Sequence, residues 1–193
     1  RFSSIGGVCL NVGCIPSTAL LHMAKVITEA EDASHHGIKF NKPEIDLEKI
    51  REWKNNDVVG KLTGGLSQMA GQRKVVVIEG YGKFTGSNSI EVEGKDKKRT
   101  KVNFNSAIIA VGSKPIIIPN IPDHPNIIDS TGALEFKDIP ERMLIVGGGI
   151  IGLEMGTVYD ALGSKITVVE LADGLIQGCD RDLVRPLQKR MEK

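Results

Sequence analysis

The sequence is poor in cysteine, in net charge and in long apolar runs, and each shortage narrows what the chain can do. Three cysteines in 193 residues are too few for a secreted disulfide scaffold, while this length can bury one good core or parts of two domains. Lys plus Arg number 25 against 24 Asp plus Glu, a net charge of +1 without a long cationic tract, which argues against a nucleic-acid surface. The longest apolar runs, Met143 to Val146 and Ala107 to Val111 among them, are strand-sized and read neither as a bilayer span nor as a signal peptide. The expectation is a cytoplasmic chain that engages neither nucleic acid nor membrane. Arg1 stands in place of an initiator Met and the sequence stops inside a helical pattern, so an internal fragment is expected.

What is present begins with Cys9 and Cys14 in GGVCLNVGCIPS. Thiol exchange needs a partner sulfur within bonding distance and a thiolate stable near neutral pH. Gly6, Gly7 and Gly13 permit a tight backbone, and Pro16 suits the first turn of a helix. Cys14 is thereby expected at a helix N-terminus, where the partial positive charge favours its thiolate. Cys9, in the preceding loop, is expected to be the more accessible sulfur. A redox-active disulfide is the reading we carry forward; a structural disulfide or half a metal site fits the same spacing, although zinc would need further ligands.

Ile15, Ala19, Leu20, Met23, Ile27 and Ala30 recur at helical spacing after Cys14. A second helix is expected from about Asp46 to Met69, with Leu47, Ile50, Trp53, Leu62 and Leu66 as apolar anchors and Gly71 as its stop. Residues 74–79, 89–93, 100–104 and 107–111 follow as β-rich runs, suggesting an antiparallel meander that ends in a buried strand. The Pro- and Ile-rich segment 114–129 reads as a connection between domains.

Beyond it, an apolar strand from Met143 to Val146 enters Gly147-x-Gly149-x-x-Gly152, a helix follows, and a second apolar strand ends in Glu170. Strand, glycines, helix, strand and acid in that order make a dinucleotide-binding unit. Gly147 allows the tight turn, Gly149 lets backbone approach a pyrophosphate at the helix N-terminus, and Gly152 allows close helix–strand packing, which Gly156 extends. Glu170 is placed to accept from the adenosine ribose hydroxyls and would repel the phosphate of NADP, so the nucleotide is read as NAD. The alternative is a glycine-rich turn in an ordinary α/β domain. A hydride carrier and a dithiol in one chain call for a two-electron intermediary that can form a thiol adduct, which a flavin can do.

These motifs, with EGYGKFTG, the strand end at Ala110 to Ser113 and DSTGAL, resemble the dihydrolipoamide dehydrogenases of the pyridine nucleotide-disulfide oxidoreductase family, class I, in their bacterial branch. The resemblance implies an α/β fold of the FAD/NAD(P)-binding Rossmann-like, three-layer ββα type with two domains, incomplete at both ends. Residues 1–114 would belong to an FAD-binding domain carrying the redox disulfide, and residues 115–193 would begin an NAD-binding domain. The dimerisation domain that makes the family homodimeric, and supplies a His–Glu base pair, would be absent.

For the cofactors, the resemblance implies that Gly6, Gly7, Val8, Cys9, Thr18, Gly82, Val111, Gly112 and Ser113 lie against FAD. Residues 1–9 would follow the adenosine-ribose contact. Gly147, Gly148, Gly149, Ile150, Ile151 and Glu170 would contact NAD, with Gly152 in the same glycine turn, and Glu154 would align with the Glu that the family pairs with a Lys beside the flavin. Cys14 would face the flavin and Cys9 would exchange with dihydrolipoamide on the lipoyl domains of a 2-oxoacid dehydrogenase complex. A related NADPH-linked disulfide or mercuric reductase, or a catalytically dead paralogue, is the alternative function. One departure stands out: the family has Lys after CysIleProSer, beside the flavin N5 and paired with a Glu, where this chain has Thr18. Glu154 is then expected to be buried and unpaired.

The remaining candidates read more plainly. His22 is a polar helix-face residue before it is a proton shuttle, His35 and His36 lack the spacing of a metal site, and His124 is a solvated side chain. Lys95 to Arg99 is a solvated hairpin turn before it is a patch for an acidic partner. Ser130 and Thr131 read as a helix N-cap rather than nucleophiles, and Cys179 as a free loop thiol.

Overall fold

A computed structural model describes residues 5–192 of the chain. Residues 1–4, which open the segment expected to follow the adenosine-ribose contact, lie outside the described residues. Two helices, α1 (Gly7–Val12) and α2 (Cys14–Asp32), lead the chain. Gly6 reverses the backbone ahead of α1 at φ 116°, a left-handed conformation that favours glycine. Good helix formers then carry α2 through Ala19, Leu20 and Ala24, all buried. By length and composition the helical stretch Gly7–His36 could cross a membrane, yet Leu20 and Ala24 are packed inside a protein core. A core helix passes the same test as a span.

The second helical stretch starts where Asp46 accepts from the Lys49 N–H at 3.0 Å, an N-cap bond that satisfies an otherwise free donor. It runs as α3 (Leu47–Glu52), a π-helical stretch Trp53–Gly60 and α4 (Lys61–Gln72). Gly71 is therefore inside the last turn, not the stop. Lys54, not one of the expected apolar anchors, is the buried residue of the π-helical stretch.

A meander forms from β1 (Tyr81–Gly86), at residues not expected as a strand, with β2 (Ser89–Glu93) and β3 (Arg99–Asn103), antiparallel throughout. Residues 95–98 make its exposed second turn, and Arg99, opening β3, lies between Glu91 and Glu93 at 3.5 and 3.3 Å. Two expected strands do not form. Residues 74–79 and 107–111 have strand composition but join no sheet, and Ile108 and Val111, expected to be buried, are 95% and 89% exposed. A strand is completed by a neighbour's backbone, and neither run pairs with a described strand.

Beyond the connection come α5 (Ser130–Glu135), β4 (Arg142–Val146), α6 (Ile150–Ala161), β5 (Lys165–Val169) and α7 (Arg181–Met191). Asp129, not Ser130 or Thr131, caps α5, accepting from the Gly132 N–H at 2.9 Å. β4 and β5 pair in parallel, Arg142 with Lys165 through Val146 with Val169, with α6 as their crossover. The main core joins both ends of the sequence: Leu20 and Ala24 of α2 pack with Ala133, Leu134 and Phe136 at α5 and Met155, Val158 and Tyr159 of α6. Phe136 and Tyr159 meet edge to face with centroids 5.4 Å apart, an arrangement that adds to simple burial.

Candidate dithiol and nucleotide site

Gly13 breaks the helix between the two sulfurs, so that Cys14 is the first residue of α2. Cys9 lies within α1, not in a loop. Both thiols are exposed and unbridged. The Cys14 thiol is pushed up rather than down: hydrogen bonding to Cys9 is the largest cause, followed by partial desolvation and the Cys9 charge, with the Glu154 carboxylate adding to it. The local backbone N–H lowers it and is outweighed. The sequence expectation, built on the helix N-terminus alone, lacked these neighbours.

The other flavin-side residues come together in part. Gly112, left-handed at φ 75°, abuts Val8, whose Cγ2 would stand 3.3 Å from a Cβ there. Gly7 faces open space and is left-handed at φ 65°, while Val111, Ser113 and Thr18 are exposed. Bare backbone beside the two thiols fits close approach by a planar cofactor. Gly82 sits in β1 against Ile90, and the meander packs extensively on no other element among the described residues. Glu154 on α6 is half-buried rather than buried, so water reaches it. No ion pair among the described residues involves it.

On the nucleotide side the glycines have separate tasks. Gly147 turns the chain at φ 110° and donates to the Val169 carbonyl at 2.8 Å, tying the turn to the end of β5. Cβ atoms on Gly147 and Gly149 would meet nothing within 4 Å, and Gly149 begins α6 without a side-chain cap. Free N–H groups and open space at a helix start are what a pyrophosphate needs. At Gly152 a Cβ would stand 2.6 Å from the Gly147 carbonyl oxygen and 3.0 Å from Ile145 Cγ2, so the helix approaches β4 as closely as backbone allows. Gly156 repeats this contact with Ile145 Cδ1 at 3.1 Å. Ile150 and Ile151 are exposed.

Glu170 is already engaged. One carboxylate oxygen accepts from the Gly148 N–H at 2.7 Å and the other from the Ala172 N–H at 2.9 Å. These bonds, Ala172 first, hold its carboxyl below the usual range. Gly148 had drawn no separate role in the sequence, and neither had Leu175, Ile176 or Arg181 around it. The one available signal was the third consecutive glycine, more than the fingerprint requires. No group of three or more His, Cys, Asp or Glu able to hold a metal occurs among the described residues.

Known proteins match along the whole chain. A relative from Vibrio parahaemolyticus named dihydrolipoyl dehydrogenase is 58% identical over 193 residues, covering 100% of this chain and 40% of the relative. One of the same name from Haemophilus influenzae is 54% identical over 194 residues, again covering 100% and 40%. The chain thus spans about 40% of the length of these curated relatives. Among solved structures, LpdA from Mycobacterium tuberculosis shares the fold at a TM-score of 0.85 and 23% identity, covering 98% of this chain and 42% of that one. The copper(II) complex of a variant of the flavoprotein disulfide reductase RclA from Escherichia coli matches at 0.73 and 26% identity, covering 97% and 39%. The family model described as pyridine nucleotide-disulphide oxidoreductase matches residues 2–193, and the chain belongs to that family.

Proposed function

We propose that this chain is the dithiol and nucleotide-binding part of a dihydrolipoamide dehydrogenase, working as a cytoplasmic homodimer on the lipoyl domains of a 2-oxoacid dehydrogenase complex. The observation that carries the reading is the placement of exposed Cys9 in α1 and exposed Cys14 at the start of α2 on one packed body with an open glycine turn, α2 against α6. The 58% identity to a relative bearing that name supports it.

In this reading the chain is two functional parts, residues 1–114 on the FAD side and 115–193 on the NAD side. A thiolate of dihydrolipoamide attacks Cys9 of the oxidised pair, the Cys9–Cys14 bond breaks, and Cys14 leaves as a thiolate. The second lipoyl thiol then displaces Cys9, so that lipoamide is oxidised and the pair is reduced by two electrons. FAD supplies the two-electron relay between the dithiol and NAD. Gly6 to Cys9, Thr18, Gly82 and Val111 to Ser113 would hold the flavin with Glu154 beside it, and Gly147 to Gly152 with Glu170 would serve the nicotinamide nucleotide. The Glu170 carboxylate disfavours the extra phosphate of NADP, which sets the reading apart from an NADPH-linked reductase.

The test is NAD reduction by dihydrolipoamide in the full-length protein, with spectra recorded on half-reduction and NADP run in parallel. A thiolate-to-flavin absorbance band lost in Cys14→Ser is the expected result. Activity without that band removes Cys14 from the flavin, and a preference for NADP overturns the assignment of Glu170.

A further inference from the structure

We infer that Glu170 is a structural lock as well as a nucleotide ligand: with Gly148 it fastens the loop after β5 onto the glycine turn, so nucleotide choice and turn geometry cannot be changed separately. The inference rests on the proposed NAD reading of the turn and goes beyond it.

Gly148 is buried and bonded through both its backbone groups. Its N–H donates to Glu170 at 2.7 Å, and its carbonyl accepts from the Ile176 N–H at 2.9 Å. Residues 171–179 therefore leave β5 and return to the same glycine. Arg181, at the start of α7, holds the far side of this loop, donating to the Ile176 carbonyl at 2.8 Å and the Cys179 carbonyl at 3.0 Å. The lock also demands glycine. A Cβ on Gly148 would stand 2.5 Å from Leu175 Cδ2 and 3.3 Å from Glu170 Cβ, so a side chain there pushes the Leu175 tip aside and crowds the stem of the acid.

A carboxylate oxygen has two lone pairs, and each oxygen of Glu170 uses one of them on a backbone N–H. The second lone pairs remain for two ribose hydroxyls, so NAD is accepted without opening the lock. A 2′-phosphate cannot be accommodated by simply deleting the acid. Deletion leaves the buried Gly148 N–H without an acceptor, a cost that falls on the turn itself.

The experiment uses the full-length protein and its Glu170→Ala and Glu170→Gln variants. It reads amide hydrogen exchange with no nucleotide present, and separately NAD and NADP affinity by titration. In Glu170→Ala, exchange at Gly148 and Ile176 rises at least about tenfold, exchange in α2 is unchanged, NAD weakens and NADP does not gain. Glu170→Gln keeps one acceptor but points an NH2 at the other donor, so it shows the same pattern at smaller amplitude and keeps the test open should the alanine variant fold poorly.

Unchanged exchange in both variants with weakened NAD makes Glu170 a ribose ligand only, and the lock is refuted while the NAD reading survives. Raised exchange with NAD binding unaffected supports the lock and refutes the NAD reading. A gain in NADP affinity with exchange unchanged also overturns the lock.

Discussion

Apolar stretches meet opposite fates in this molecule. Residues 142–169 become β4, α6 and β5, with Ile145 and Val158 buried. Residues 74–79 and 107–111 are richer still in Val and Ile, yet Val76 and Ile108 are 82% and 95% exposed. The difference is the distance to a partner. β5 follows β4 by one crossover helix, and α6 carries glycines at the two positions where it must touch β4. Composition confers a preference for extended backbone, but a sheet exists only where a neighbour supplies donors and acceptors. Even the favoured unit is covered on one face only: Leu144 and Val146 point away from α6 and remain exposed.

The largest effect expected from this contrast separates the packed core from the bare runs. Phe136→Ala removes a fully buried ring from the joint between α2, α5 and α6 and should cost about 3–5 kcal/mol. Ile108→Ala should stay within about 0.5 kcal/mol, as at any exposed position. Urea unfolding followed by far-UV circular dichroism measures both, and equal losses would erase the distinction. Next in size is a pair of glycines. Gly152→Ala puts a Cβ 2.6 Å from a backbone oxygen that cannot move aside, for a loss of about 1–3 kcal/mol. Gly64→Ala, in open space within α4, should gain up to about 1 kcal/mol from helix propensity. A loss at Gly64 would show that its helix face is occupied.

Smaller still is Tyr159→Phe. The Tyr159 hydroxyl donates to the Ala133 carbonyl at 2.9 Å inside the core, a bond worth about 1 kcal/mol. Burial first, and then Asp138, pushes this phenol up to about 12. A group with a raised folded-state pKa contributes stability in full below its unfolded value, near 10, and loses it as pH rises towards 12. Lys54 works against this trend: burial lowers its pKa, so stability rises with pH as its unfolded form gives up its proton. Unfolding measured across this alkaline window should fall more steeply in the parent than in Tyr159→Phe. Parallel curves would place the titration elsewhere.

What could be read from the sequence follows the same division. The strand, glycine turn, helix and strand of residues 143–170 are local in the chain, each step limited by its neighbours, and the α/β class was readable from them. Runs 89–93 and 100–104 and the helix starting at Asp46 were local too, whereas Tyr81–Gly86, the first strand of the meander, was not expected. The fates of residues 74–79 and 107–111 were not, because pairing depends on what lies across the sheet. Cys9 falls inside α1 because a helix already starts at Gly7, which no spacing rule marks. The engagement of Glu170 with Gly148 spans 22 residues, and an acid at that point reads as a ligand whether or not backbone has already claimed it.

The smallest expected effect tests the dithiol side against the nucleotide side through Thr18. Positions 14 and 18 are one turn apart on α2, close enough for their side chains to interact. Glu154 on α6 raises the Cys14 thiol, and no described cation offsets it. Thr18→Lys introduces one at the site where the resembling family carries it, so the Cys14 thiolate should become easier to form. All these groups meet solvent, so the gain is modest: about two- to fivefold in the rate of Cys14 alkylation at mildly alkaline pH, shrinking as salt is added. Site-resolved mass spectrometry of the reduced chain measures it, with Cys179 as an internal reference. In the full-length protein the same change should speed flavin reduction by NADH while leaving Cys9 and Cys14 equally able to form their disulfide. A Cys14 rate unmoved at low salt would mean that Glu154 acts on the thiol through water and not through an uncompensated charge.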